Sequence, residues 1–132
     1  MNAENILRVA DAIEQHAIKD LGFNMAGYCD RTTPDAPDHT GHHCGTTACI
    51  AGWAIAIEHQ LTGESLLEEI TRRPVVSDAA ASFLGIDGHQ ASDLFFAGSH
   101  PEHSDNWPAI SAEAAVRTLR HLAATGEVDW TA

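Results

Sequence analysis

The hydrophobic pattern of the chain centres on a run from Ala48 to Ile57 in which every residue is apolar or glycine. A helix that is apolar on all sides is normally buried, and a membrane span needs about 20 apolar residues. The run therefore predicts a buried central helix over about residues 46–59, with Thr46 or Thr47 as the N-cap. Gly52 costs about 1 kcal/mol relative to alanine inside a helix, so we expect another helix to approach closely there.

Apolar residues at helical spacing predict amphipathic helices on either side of this run. Asn2 is the expected N-cap of a first helix from about Ala3 to Asp20, which Gly22 ends. Ser111 is the expected N-cap of a final helix that stops at Gly126.

Shorter helices are predicted in the middle of the chain. One runs from Ser65 to Arg72, and another from Asp78 to Leu84 with Ser77 as its cap and Gly85 as its end. A capping box at Asp87–Gln90 starts a third, from about Gly88 to Ala97. Two long irregular segments, Gly22–Gly45 and Gly98–Ile110, separate the helices, and no alternating strand pattern is evident. The prediction is a single all-α domain over residues 1–132, a compact bundle of about five helices around the buried central helix.

The net charge of the chain indicates which classes of partner it can bind. The chain has 19 acidic and 7 basic residues, a net charge of −12. Phosphate contacts need Lys or Arg, so nucleic-acid and anionic-membrane binding are disfavoured. An acidic surface provides solubility, or it binds a basic protein partner as a nucleic-acid mimic would. The first residues show no basic region followed by an apolar run, so we expect no signal peptide and a cytoplasmic location.

A zinc site is one candidate chemistry, because histidines and cysteines are concentrated ahead of the central helix. Zinc takes tetrahedral Cys and His ligands, and a bound ion would also hold the long segment in order. There is no C-x2-C pair, however, and Cys49 is expected in the core. The candidate ligands are Cys29, His39, His42, His43 and Cys44. The alternative is that the histidines are solvated loop residues.

A nucleophilic thiol is the next candidate. Cys44 would lie just ahead of the central helix, and a helix N-terminus lowers the pKa of a nearby thiol. The general base would be His42 or His43, or alternatively His100 or His103. No residue pattern indicates which histidine is oriented for that role.

The two short helices around Gly85 also have the spacing of a helix-turn-helix. The would-be recognition helix, Asp87 to Phe96, carries two aspartates and no Lys or Arg, which are the side chains that contact phosphates and bases. The spacing therefore indicates two capped helices packed at an angle rather than a DNA reader.

The run from Cys44 to Ala54 resembles the C-G-T-x-x-C-[IV]-A-G-x-A motif of a family of small uncharacterised bacterial and bacteriophage proteins. A later L-G-[IL]…L-F segment of that family is matched by Leu84–Ile86 and Leu94–Phe95. The resemblance implies a phage-type or mobile-element accessory protein, and it assigns no residue a role.

The sequence thus predicts an acidic accessory protein that binds a host protein partner, as an inhibitor or a nucleic-acid mimic, without catalysis. A zinc-binding domain using the His/Cys-rich segment 29–49 is the alternative, and an enzyme with Cys44 as nucleophile is the third hypothesis.

Overall fold

A computed structural model of the chain describes residues 1–25, 28–31, 46–72, 76–95 and 110–130. The fold is mostly helical, as predicted. The helices within these ranges are α1 (Ala3–Gln15), α2 (Ile50–His59), α3 (Gly63–Arg72), α4 (Val76–Leu84), α5 (Gly88–Phe95) and α6 (Ala112–Thr125). Three short strands accompany them: β1 (Leu21–Phe23), β2 (Asp30–Arg31) and β3 (Thr46–Ala48). The prediction of a purely all-α fold is therefore wrong.

The strands form a sheet in the order β1-β3-β2. β1 runs parallel to β3, with Leu21 opposite Thr46, and β2 runs antiparallel to β3, with Arg31 also opposite Thr46. Every residue of β1 and β3 is buried. A strand that is buried on both faces lacks the alternation of a half-exposed strand, so its sequence gives no period-2 signal.

The central helix begins later than the sequence indicated. Residues 46–48 are strand, and Cys49, in extended conformation, is the N-cap of α2 without a side-chain cap bond. The Thr46 hydroxyl instead donates to the Asp20 carbonyl at 2.6 Å. From Ile50 to Ala56 every residue of α2 is buried, which confirms the predicted environment.

The first helix ends earlier than predicted. The Asn2 side chain caps α1 by accepting from the Asn5 N–H, as expected. The helix stops at His16, whose left-handed conformation (φ 52°) turns the chain before it reaches Asp20 or Gly22. Gly22 then lies in β1, where its carbonyl accepts from the buried Trp53 indole at 2.8 Å.

Most of the other predicted helix caps and helix ends are confirmed. Asp87 and Gln90 exchange the two bonds of a capping box at 2.7 and 3.0 Å, and Ser111 accepts from the Ala114 N–H. Gly85 and Gly126 have positive φ at helix ends. Ser77 does not cap α4, because that helix already begins at Val76. The predicted end of α5 near Ala97 lies outside the described residues.

The core is arranged around α2, which packs against α1, α3, α4 and α5, while α6 packs on α1. Trp53, Phe23 and Phe95 are its largest fully buried side chains. Among the described helices, none combines the length and apolar content needed to cross a membrane.

Candidate functional site

The predicted metal and nucleophile residues lie largely outside the part of the chain that the structure describes. This applies to His39, His42, His43 and Cys44, and also to His100 and His103. Their roles in a zinc site or as nucleophile and base stay predictions. Within the described ranges, no group of three or more His, Cys, Asp or Glu side chains could hold a metal ion.

The residues on either side of this segment lie next to each other in the sheet. Arg31 and Thr46, which bracket residues 32–45, are paired across β2 and β3. The sheet therefore holds the two ends of the segment side by side, a restraint that a bound metal was expected to supply.

The two described cysteines are core residues. Cys29 is 6% exposed and Cys49 is 2% exposed, and both are thiols within the main hydrophobic cluster. The burial of Cys49 agrees with its prediction as a small core residue. Cys29, which was also a candidate zinc ligand, occupies the same kind of environment.

The position at which α2 begins bears on whether Cys44 is a reactive thiol. The field of a helix N-terminus falls off within the first turn. Since α2 begins at Ile50, β3 and the cap residue Cys49 intervene between Cys44 and the helix. The expectation that α2 begins just after Cys44 is wrong, so the start of this helix does not support an activated thiol there.

Gly52 has a different neighbour from the one predicted. A Cβ at this position would overlap the Tyr28 carbonyl oxygen and lie 2.7 Å from the Ala48 Cβ. The close approach is therefore to the backbone just before Cys29, and not to another helix.

A long-range cap fixes α3 beside the sheet. The Asp20 carboxylate accepts from the Gly63 N–H at 2.7 Å and from the Glu64 N–H at 3.2 Å. Its carbonyl accepts from Thr46, so one residue joins the end of the α1–β1 connection to β3 and α3. This contact was not predicted, because Asp20 is distant in sequence from the helix that it caps.

The acidic side chains lie at the surface. Outside β2, every Asp and Glu of the described residues is exposed or half-buried. In one cluster, Arg120 on α6 contacts two carboxylates on α1, Glu14 at 2.8 Å and Asp11 at 3.0 Å. The hydrogen bond from Arg120 lowers the pKa of Glu14, and the two carboxylates raise the pKa of Arg120.

An acidic cleft of about 340 Å³ lies between α5 and the chain that follows α6. It is lined by His89, Gln90, Asp93, Gly126, Glu127 and Val128. Two bonds join its walls: the Gln90 amide donates to the Gly126 carbonyl at 2.7 Å, and the Trp130 indole donates to the Asp93 carbonyl at 2.9 Å. No sequence pattern predicts the cleft, because the chain after Gly126 is too short to carry one.

Comparisons with protein-family models, with curated proteins and with solved structures each found no match. The resemblance in the Cys44–Ala54 motif therefore stays a prediction.

Proposed function

We propose that this chain is a small acidic accessory protein, of phage or mobile-element type, that acts by binding a basic protein partner. The observation that carries the proposal is the charge of the surface. The chain has a net charge of −12, and its described carboxylates are at the surface rather than in the core. Such a surface attracts a basic partner, speeds the encounter and disfavours acidic competitors.

The proposal includes inhibition by nucleic-acid mimicry, because a surface of carboxylates presents negative charge as a phosphate backbone does. A partner bound in this way would be one that also binds DNA or RNA. Its complex would weaken as salt screens the exposed charges, over distances of about 10 Å at 0.1 M salt.

The test is capture of the partner from a lysate of the bacterial host with the wild-type chain as bait, at low and high salt. A matched bait replaces four exposed carboxylates by amides: Glu4, Glu68, Asp78 and Glu113. A control bait carries Ser82→Ala and Ser92→Ala, which change exposed but uncharged positions.

We expect a basic protein that the wild-type and control baits retain, that the amide bait loses, and that duplex DNA displaces. Recovery of no protein at low salt would contradict the proposal. Equal recovery by all three baits would contradict the role of the acidic surface.

Zinc binding by the segment 29–49 is a second candidate function. The pairing of Arg31 with Thr46 favours it, because the sheet brings the two flanks of the ligand-rich segment together and lowers the cost of ordering a site. We expect one equivalent of zinc in protein purified without a histidine tag, and less in Cys44→Ser. Well under one equivalent by elemental analysis would contradict the candidate.

A further inference from the structure

We propose that the cleft between α5 and the chain after α6 binds an arginine side chain of the basic partner. This inference rests on the proposed function and gives it a location. The cleft was defined above by its lining of His89, Gln90, Asp93, Gly126, Glu127 and Val128.

The charged residues in the lining of the cleft, apart from His89, are acidic. Asp93 lies on the α5 wall and Glu127 on the opposite wall, and none of the six lining residues is Lys or Arg. A cleft lined by charges of one sign focuses the field and raises the local concentration of the opposite charge. The complementary ligand is therefore a cation.

The two carboxylates of the cleft are accessible to a ligand. The Asp93 side chain is 37% exposed, and Glu127 is exposed. The neighbour of Asp93 is His89, with Nε2 3.4 Å from Oδ2, and the His89 side chain is 88% exposed. A side chain so exposed is displaced at little cost, so it does not block the carboxylate.

The walls of the cleft are held together by hydrogen bonds. The bond from Gln90 to Gly126 and the bond from Trp130 to Asp93 both join α5 to the chain after α6. Both use backbone carbonyls as acceptors, so neither bond occupies the Asp93 or Glu127 carboxylate. A preformed site loses less entropy on binding than a mobile one.

The size and chemistry favour arginine. Pockets for whole small molecules span roughly 300–1,000 Å³, and this cleft, at about 340 Å³, is at the lower end. This volume admits the guanidinium and alkyl chain of one arginine. A guanidinium carries five donors in one plane and can reach acceptors on two walls together, whereas an ammonium is a compact point charge.

The test uses the tripeptide acetyl-Gly-Arg-Gly-amide as the probe and amide NMR spectra of the ¹⁵N-labelled protein as the readout. The lysine tripeptide tests the preference for guanidinium, and the citrulline tripeptide is a neutral probe of the same shape. The cleft variant is Asp93→Asn with Glu127→Gln. Its matched control is Glu68→Gln with Glu113→Gln, which removes the same charge from exposed positions away from the cleft.

We expect the arginine tripeptide to shift the amide signals of residues 89–93 and 126–128, and the lysine tripeptide to bind more weakly. Citrulline should cause no shift there. The cleft variant should bind the arginine tripeptide about tenfold more weakly, while the control pair keeps the wild-type affinity.

Shifts spread over all the acidic helices, or equal weakening in the two paired variants, would overturn the inference. Localised tripeptide binding supports it even if no partner is captured from lysate, in which case the proposed function alone fails. Undiminished capture of the partner by the cleft variant would overturn the docking role and leave the proposed function standing.

Discussion

At the scale of single residues, Gly52 determines how closely the chain before Cys29 can approach the central helix. The Tyr28 carbonyl occupies the space in which any side chain at position 52 would begin. Backbone atoms cannot rotate away as the end of a flexible side chain can. A methyl group there must displace either α2 or the connection that leads to β2.

The corresponding prediction is that Gly52→Ala destabilises the protein by about 1–3 kcal/mol, the usual cost of overpacking a core. Gly88→Ala is the matched control, because a Cβ at this helical glycine meets nothing within 4 Å. We expect the control to be neutral or slightly stabilising in urea denaturation. Coincident unfolding curves for Gly52→Ala and the wild type would contradict the assignment of the close approach.

The burial of Cys29 and Cys49 also predicts their chemistry. Alkylation of the native protein should leave both thiols unmodified for as long as the fold is intact, and in denaturant all three cysteines should react. Peptide mapping by mass spectrometry identifies the modified positions. The rate at Cys44 tests the nucleophile hypothesis: a thiol that reacts no faster than one in a short peptide argues against an activated nucleophile.

At the scale of elements, α3 depends on a carboxylate from another part of the chain. Asp20 accepts from two N–H groups of the first turn of α3 and so adds to the local N-cap at Thr62. Thr62 contributes a further bond to the Ser65 N–H at 3.2 Å. The start of α3 is thus tied to β3 and to the end of the α1–β1 connection.

We predict that Asp20→Ala costs about 1–2 kcal/mol, the upper range for loss of a helix cap, and that Asp20→Asn costs less because its amide oxygen still accepts. Urea denaturation measures both. Hydrogen exchange should show faster opening at the Gly63 and Glu64 amides. Unchanged exchange at these two amides in Asp20→Ala would show that the cap does not protect them.

These elements also show which features the sequence can predict. Bonds between residues three apart, such as those of Asp87 with Gln90 and of Ser111 with Ala114, were expected from local motifs. Contacts that need distant segments to meet, such as Leu21 with Thr46 or Asp20 with Gly63, leave no local pattern. The net charge of the chain follows from its composition and was predictable. The cleft between α5 and the chain after Gly126 forms only where distant segments meet, so it was not.

At the scale of the whole molecule, Arg120 links the first and last described helices at the surface. Its hydrogen bond lowers the pKa of Glu14 below the ordinary value of 4.5. A carboxylate with a lowered pKa in the folded state stabilises the fold above its unfolded pKa, and that contribution disappears as the pH falls through the folded pKa.

We therefore predict that Arg120→Gln reduces stability modestly at pH 7 and by progressively less as the pH falls below 4.5, with the difference also reduced in high salt. Thermal unfolding across this pH range measures the effect. Arg117→Gln, an exposed position on the same helix, is the control. A destabilisation that stays constant down to pH 3 would indicate lost packing rather than a lost ion pair.

The packing of α1 on α6 has a further consequence for how the protein is made. During synthesis α1 leaves the ribosome early, while the helix that covers its apolar stripe is translated after all the other described elements. Contacts between segments so far apart in sequence slow folding, and uncovered apolar surface promotes aggregation. We expect nascent chains that end before α6 to remain soluble only when a chaperone covers the exposed face of α1.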